Sequence, residues 1–194
     1  MPLFKRIYRY FCLRGARAVL VGRMRDRGNI EKGRFTREDA NRIMDKTWVT
    51  FDELIDGAPV QKTAGGRRNV TLGVLTLAFY RALRSEVDDR SYTIELTSDF
   101  CWYGYEKSLG PSRFVARLRS RDPQTQMNFI MRSALRYPFS RPDYDWTVHQ
   151  DPSAFVVDFH RCPVHDYFKS QGDDALDLFR NTSVSYTHLR AHET

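Results

Sequence analysis

Three features of the 194-residue sequence predict an α+β fold, mostly helical in its N-terminal half and mixed strand and helix in its C-terminal half. Apolar residues recur at helical spacing in successive segments up to about Leu135. The composition then turns to Pro, Asp and aromatics across "RYPFSRPDYDWTVHQDPS", which reads as an ordered loop with a short strand around Trp146. Finally, "AFVVDFH" alternates Phe155, Val157 and Phe159 on one face with Val156, Asp158 and His160 on the other, the pattern of a strand.

The helical half is read segment by segment. Phe4, Ile7 and Phe11 beside Lys5, Arg6 and Arg9 predict a basic amphipathic helix running to about Arg25, broken by Gly28 and Gly33. "TREDANRIMDKTWVTFDELIDG" opens on Thr36 as N-cap with Asp39 three residues on, buries Ile43, Trp48, Phe51 and Leu54, and closes at Gly57 and Pro59. "KTAGGRRNVTLGVLTLAFYRALRSE" passes from a Gly-Gly loop into an apolar helix carrying Leu75, Phe79 and Leu83. "SYTIELTSDFCWYGYEKSLG" predicts a helix ending near Gly110, before Pro111. "DPQTQMNFIMRSALRYP" has Asp122 at the N-cap and Pro123 at the first helical position. In the C-terminal half, "CPVHDYFKSQG" is a short helix with Pro163 first and Gly172 just past its end.

A hydrophobic content of 41% suffices for a core. Three widely spaced cysteines, Cys12, Cys101 and Cys162, and no secretory leader predict reduced thiols in a cytoplasmic protein. The net charge of +7 is concentrated at the start: residues 1–34 hold ten basic side chains against Asp26 and Glu31. Such a segment is either a solvated helix face or a weak contact for an anionic surface. No zinc-finger spacing or RNA-binding aromatic motif points to nucleic acid. With no phosphate-binding glycine loop or internal repeat, no cofactor is expected.

The junction "VVDFHRCPVHDYF" carries the strongest chemical signal. Asp158, His160 and Cys162 share parity along the predicted strand, so all three are expected to leave the backbone in a similar direction. Cys162 also falls at a helix N-cap, where free N–H groups and the helix dipole favour a thiolate. His160 or His165 would take its proton and Asp158 would orient a histidine. The plainer account makes Cys162 a small packed residue, and a metal site from His149, His160, Cys162 and His165 is a weaker third option. Glu95, Asp99 and Glu106, flanked by Trp102 and Tyr103, are expected on one helix face, as a cation or substrate contact or simply as a solvated face.

Taken together, "GGRRNVTLGVLTLAFYRAL", "ELTSDFCWYGYEK", "RDPQTQMNF", "LRYPFSRPDYDW" and "VVDFHRCPVHDYFKSQGDDALDLFRNT" resemble the L-2-amino-thiazoline-4-carboxylic acid hydrolase family. The resemblance spans about Lys62 to Thr182 and rests on the order of several weak motifs. It implies a helical half followed by a vinyl-reductase-type small-molecule-binding domain, and hydrolytic opening of a cyclic amidine to N-carbamoyl-cysteine. The expected reaction class is hydrolysis of C–N bonds other than peptide bonds, with a small-molecule substrate. Cys162, His160, His165 and Asp158 are the expected catalytic set, and Glu95, Asp99, Trp102 and Arg161 the substrate contacts, Arg161 for the substrate carboxylate. A non-catalytic binding or sensory domain of similar fold is the alternative.

The last eleven residues, "VSYTHLRAHET", equal the in-frame translation of a nucleotide run resembling a transposon-end library adapter. Residues 183–194 are accordingly expected to be artefactual, residues 36–182 to form one α+β domain incomplete at its C-terminus, and residues 1–35 to form the basic helix. Were the tail native, His188 and His192 would become candidate ligands.

Overall fold

The computed structural model describes residues 2–22, 35–150 and 155–184. Helix α1 covers Pro2–Leu20 and stops short of the expected Arg25. The rest of the basic segment, with Gly28 and Gly33, lies outside the described residues, as does the tail carrying His188 and His192.

Helix α2 (Arg37–Ile55) begins as its sequence requires. The Asp39 amide donates to the Thr36 hydroxyl at 3.1 Å and the Thr36 amide donates back to Asp39 Oδ2 at 2.8 Å, a reciprocal capping box. Helix α3 (Ala64–Arg84) departs from the reading, because Gly65 and Gly66 are its first turn rather than a loop. Thr63 caps it by accepting from the Gly66 amide at 2.9 Å. The glycines are needed for closeness: a Cβ on Gly65 would strike the Pro138 carbonyl, and one on Gly66 the Asp143 carboxylate.

Helix α4 (Arg90–Arg119) does not end at Gly110 but runs through Pro111. Lys107, Gly110 and Pro111 are all exposed, so the proline falls on a solvent-facing side of the helix, where the loss of one main-chain donor costs least. Helix α5 (Pro123–Arg136) starts where expected, with Asp122 accepting from the Thr125 amide at 2.7 Å. Strands β1 (Asp145–Gln150) and β2 (Phe155–Arg161) form a two-stranded antiparallel sheet. Helices α6 (Pro163–Ser170) and α7 (Asp173–Phe179) and a π-helical turn over Arg180–Val184 complete the described chain. The architecture is therefore α+β in the broad sense: a mostly helical body with a small sheet toward the C-terminal part.

Helix α3 is the hub of the core, with Val74, Ala78, Phe79 and Leu83 at 0% exposure. Around it pack Ile43 and Met44 of α2, Ala16 and Val19 of α1, Leu96 and Phe100 of α4, and Phe168 of α6. Phe79 and Phe100 stack with ring centroids 4.2 Å apart, worth about 1 kcal/mol beyond their burial. At Gly73 an added Cβ would lie 2.9 Å from Val164 Cγ1 and 3.2 Å from Phe168 Cε2, so α6 rests in a notch cut into α3. The hairpin is held separately by a small aromatic cluster, Phe139, Tyr144 and Phe159, with centroids 5.2 to 6.1 Å apart. Two strands alone are marginal, and these rings supply the missing packing. Among the described residues no helix is long and apolar enough to cross a membrane.

Candidate functional site

Cys162 occupies the N-cap of α6, as the Pro163 signal requires. Its electrostatics run opposite to expectation. Burial pushes the thiol above its ordinary pKa, and the His165 and Val164 amides, which pull the other way, do not overcome it. The sulfur makes no full capping hydrogen bond, so the helix start gives it only partial anionic stabilisation. At neutral pH Cys162 is a thiol.

The histidines and Asp158 do not converge on that thiol. The register of the hairpin slips between Asp145 and Trp146, so that Arg161 faces Asp145, Phe159 faces Trp146, and His160 is the extra residue of a bulge. Asp158 and His160 do share a direction, meeting His149 and Thr147 on one face of β1, but Cys162 lies beyond the irregularity and does not join them. Asp158 and His160 both lie exposed, whereas Cys162 is half-buried. Asp158 Oδ2 is 2.6 Å from His149 Nε2, and His160 Nε2 is 2.9 Å from the Thr147 hydroxyl. His165 places its ring edge-on to Phe179 at 5.5 Å and its Nδ1 3.3 Å from Asp166 Oδ1. The four side chains considered as metal ligands are thus dispersed, and among the described residues no group of three or more His, Cys, Asp or Glu is disposed to hold a metal.

Arg161 is also committed elsewhere. Its guanidinium donates to the main-chain carbonyls of Asp143, at 3.2 Å, and Pro142, fastening the hairpin to the preceding loop rather than waiting for a carboxylate. Glu95, Asp99 and Trp102 lie on α4 and are each engaged by neighbours. Helical geometry puts them, with Glu106, roughly 100° or more around the axis from Cys101.

Two tyrosines lie within electrostatic reach of Cys162, and a further cysteine stands beside one of them. Cys101 and Tyr105 stand one turn apart on the same side of α4, and Tyr105 lies close enough to feel charge on both Cys101 and Cys162. Tyr144, just before β1, senses Cys162 and Tyr105 in turn, and its hydroxyl accepts from Asn69 Nδ2 at 2.8 Å. Cys101 Sγ is 3.2 Å from the Thr76 hydroxyl. Burial raises Cys101 to about 11 and Tyr105 to about 12, and pushes Tyr144 up as well. The result is a set of neutral thiol and hydroxyl donors near the junction of α3, α4 and the start of α6, open to solvent on the side of Tyr105, which is 48% exposed. The i, i+4 spacing of Cys101 and Tyr105 is the local sequence signal that places the pair on one side of α4.

An open groove of about 670 Å³ lies apart from this set, between α2 and the end of α3, lined by Glu38, Asn41, Arg42, Lys46 and Arg81 among others. Arg42 and Lys46 there are neutralised by Glu86, at 3.2 and 2.5 Å. No family model matches the chain, and no curated protein or solved structure matches it either.

Proposed function

We propose that the chain is a hydrolase that opens a small cyclic amidine, of the 2-amino-thiazoline-4-carboxylate type, to an N-carbamoyl amino acid. In this reading the C-terminal strand and helix part is a vinyl-reductase-type small-molecule-binding domain, and the chain is a member of the hydrolase family that its motifs resemble. The observation that carries the proposal is the group of thiol and hydroxyl donors near the start of α6: Cys162 at its N-cap, Tyr144 hydrogen-bonded to Asn69, and Tyr105 one turn from Cys101, which bonds to Thr76.

A thiol held above its ordinary pKa stays protonated at neutral pH, so it is a poor nucleophile and is available as a hydrogen-bond donor. Water is therefore the attacking group. It adds to the amidine carbon between ring nitrogen and ring sulfur, the ring nitrogen takes up a proton, and the tetrahedral carbon expels the sulfur. The water oxygen becomes the carbamoyl oxygen, the carbon–sulfur bond breaks, and the two water protons end on the ring nitrogen and the departing sulfur, relayed through the thiol and hydroxyl, which are thereby left protonated. Cys162 and Tyr105 are the residues proposed to donate to the ring nitrogen and the leaving sulfur. Arg68, whose positive charge bears on the Tyr105 hydroxyl, replaces Arg161 as the proposed partner of the substrate carboxylate.

The second reading, a non-catalytic small-molecule-binding or sensory domain, draws support from the other partners the histidine rings take: Asp158 for His149, Thr147 for His160, and Asp166 and Phe179 for His165. The deciding experiment incubates the full chain with 2-amino-thiazoline-4-carboxylate and follows N-carbamoyl-cysteine by mass spectrometry, with binding measured in parallel by calorimetry. Product that Cys162→Ala and Tyr105→Phe both abolish supports the hydrolase. Saturable binding without product supports the sensory domain, and neither product nor binding removes both.

A further inference from the structure

The end of α4 and the whole of α5 carry a surface that the donor set around Cys162 does not use. From Lys107 to Arg136 the chain has seven basic side chains against one acid, Asp122, a net of +6. Asp122 is already occupied, accepting from the Thr125 amide and hydroxyl as the cap of α5. Arg117, Arg121, Arg132 and Arg136 are exposed, and none has an ion-pair partner among the described residues. This contrasts with the arginines of the body: Arg42 pairs with Asp39 and Glu86, and Arg90 with Asp174 and Asp177.

Between these cations stand large apolar side chains in water. Phe114 is 64% exposed, Leu118 72% and Met127 51%. Phe114 and Leu118 are one turn apart and so share a face of α4. Arg119 lies over the Phe129 ring at 4.5 Å, tying the two helices into one surface. In α5, of Met127, Phe129, Ile130, Met131, Ala134 and Leu135, only Leu135 is buried.

We propose that this α4–α5 surface docks the protein on an anionic lipid bilayer. Uncompensated arginines meet the phosphates of acidic headgroups, while Phe114, Leu118 and Met127 enter the headgroup boundary. Charge selects among occupants. A second copy would bring one +6 face against another, and a nucleic acid would neutralise the arginines without covering the aliphatic side chains.

The test is co-flotation of the full chain with phosphatidylcholine vesicles, with and without phosphatidylglycerol, and circular dichroism of every variant to confirm the fold. Binding is expected only to the mixed vesicles. The pair Phe114→Ser and Leu118→Ser should weaken it at least about tenfold, and Arg117→Gln about fivefold. An Ile7→Ser, Phe11→Ser control on α1 should leave it unchanged. Absent binding, binding lost only in the α1 control, or equal affinity for a single-stranded oligonucleotide that the Phe114 and Leu118 variants leave untouched would each overturn the proposal.

Discussion

Thr63 and Asp143, eighty positions apart, are joined twice: Asp143 Oδ2 accepts from the Thr63 amide at 2.7 Å and from its hydroxyl at 2.6 Å. Oδ1 adds the Lys62 amide at 3.0 Å. A carboxylate with only 8% exposure thereby fixes the start of α3 to the loop leading into the hairpin. Asp143→Ala should destabilise the protein by about 2 kcal/mol or more, since it strands two amides and a hydroxyl. Urea unfolding monitored by circular dichroism would measure this.

The same carboxylate predicts an acid limb. Burial by itself would raise its pKa, but the Thr63 hydroxyl and the Thr63 and Lys62 amides outweigh burial and hold it below the usual carboxylate range. A depressed folded-state pKa contributes stability above the unfolded value near 4, and that contribution is lost as pH falls through the folded value. Asp143→Asn should flatten the fall in melting temperature below about pH 4. An unchanged acid limb would place the effect elsewhere.

Gly65→Ala should destabilise by about 1 to 3 kcal/mol, although glycine to alanine inside a helix ordinarily stabilises by about 1. The sign reverses because the new methyl meets the Pro138 main-chain carbonyl, which has no rotamer in which to escape. A stabilised Gly65→Ala would mean the loop yields freely.

Much of the fold was legible because its signals are local. Thr36 with Asp39, and Asp122 with Pro123, fix helix starts through bonds three residues long. Gly65 and Gly66 were read as a loop because their reason for being glycine sits at Pro138 and Asp143, which no local pattern reveals. Pro111 was read as a stop because exposure, which makes it tolerable, is a tertiary property. For the site, the position of Cys162 at the N-cap was readable, but its company was not. Alternation holds for Asp158 and His160 but does not carry past the bulge to Cys162, and Tyr144 comes near Cys162 only through the folding of the loop before β1.

Cys162 should alkylate slowly. Because its thiol is raised above an ordinary cysteine, the thiolate fraction at pH 8 is small, and iodoacetamide labelling should lag that of a free cysteine and accelerate only as pH climbs further. Peptide mapping after timed labelling gives the site-resolved rate. Labelling faster than free cysteine would restore the activated nucleophile.

Gly73→Ala should lift α6 from α3, because the added methyl would press on Val164 and Phe168. A loss of about 1 to 3 kcal/mol is expected, together with faster labelling of Cys162 as its cover loosens. Stability lost without any change in labelling would show that the notch supports the core and not the thiol.

Helix α4, at 30 residues, spans about 45 Å of helical rise, and its passage through Pro111 carries the helix on from Cys101 to the tip at Arg119. Tyr105 and Leu118 are then separated by about 20 Å of axial rise, twice the distance over which physiological salt screens a charge. A dense sheet of negative charge held at the tip is therefore electrically invisible to the thiol and hydroxyl donors. Whatever ionic strength detaches the tip from such a sheet should leave the protonation of Cys162 and Tyr105 where it was.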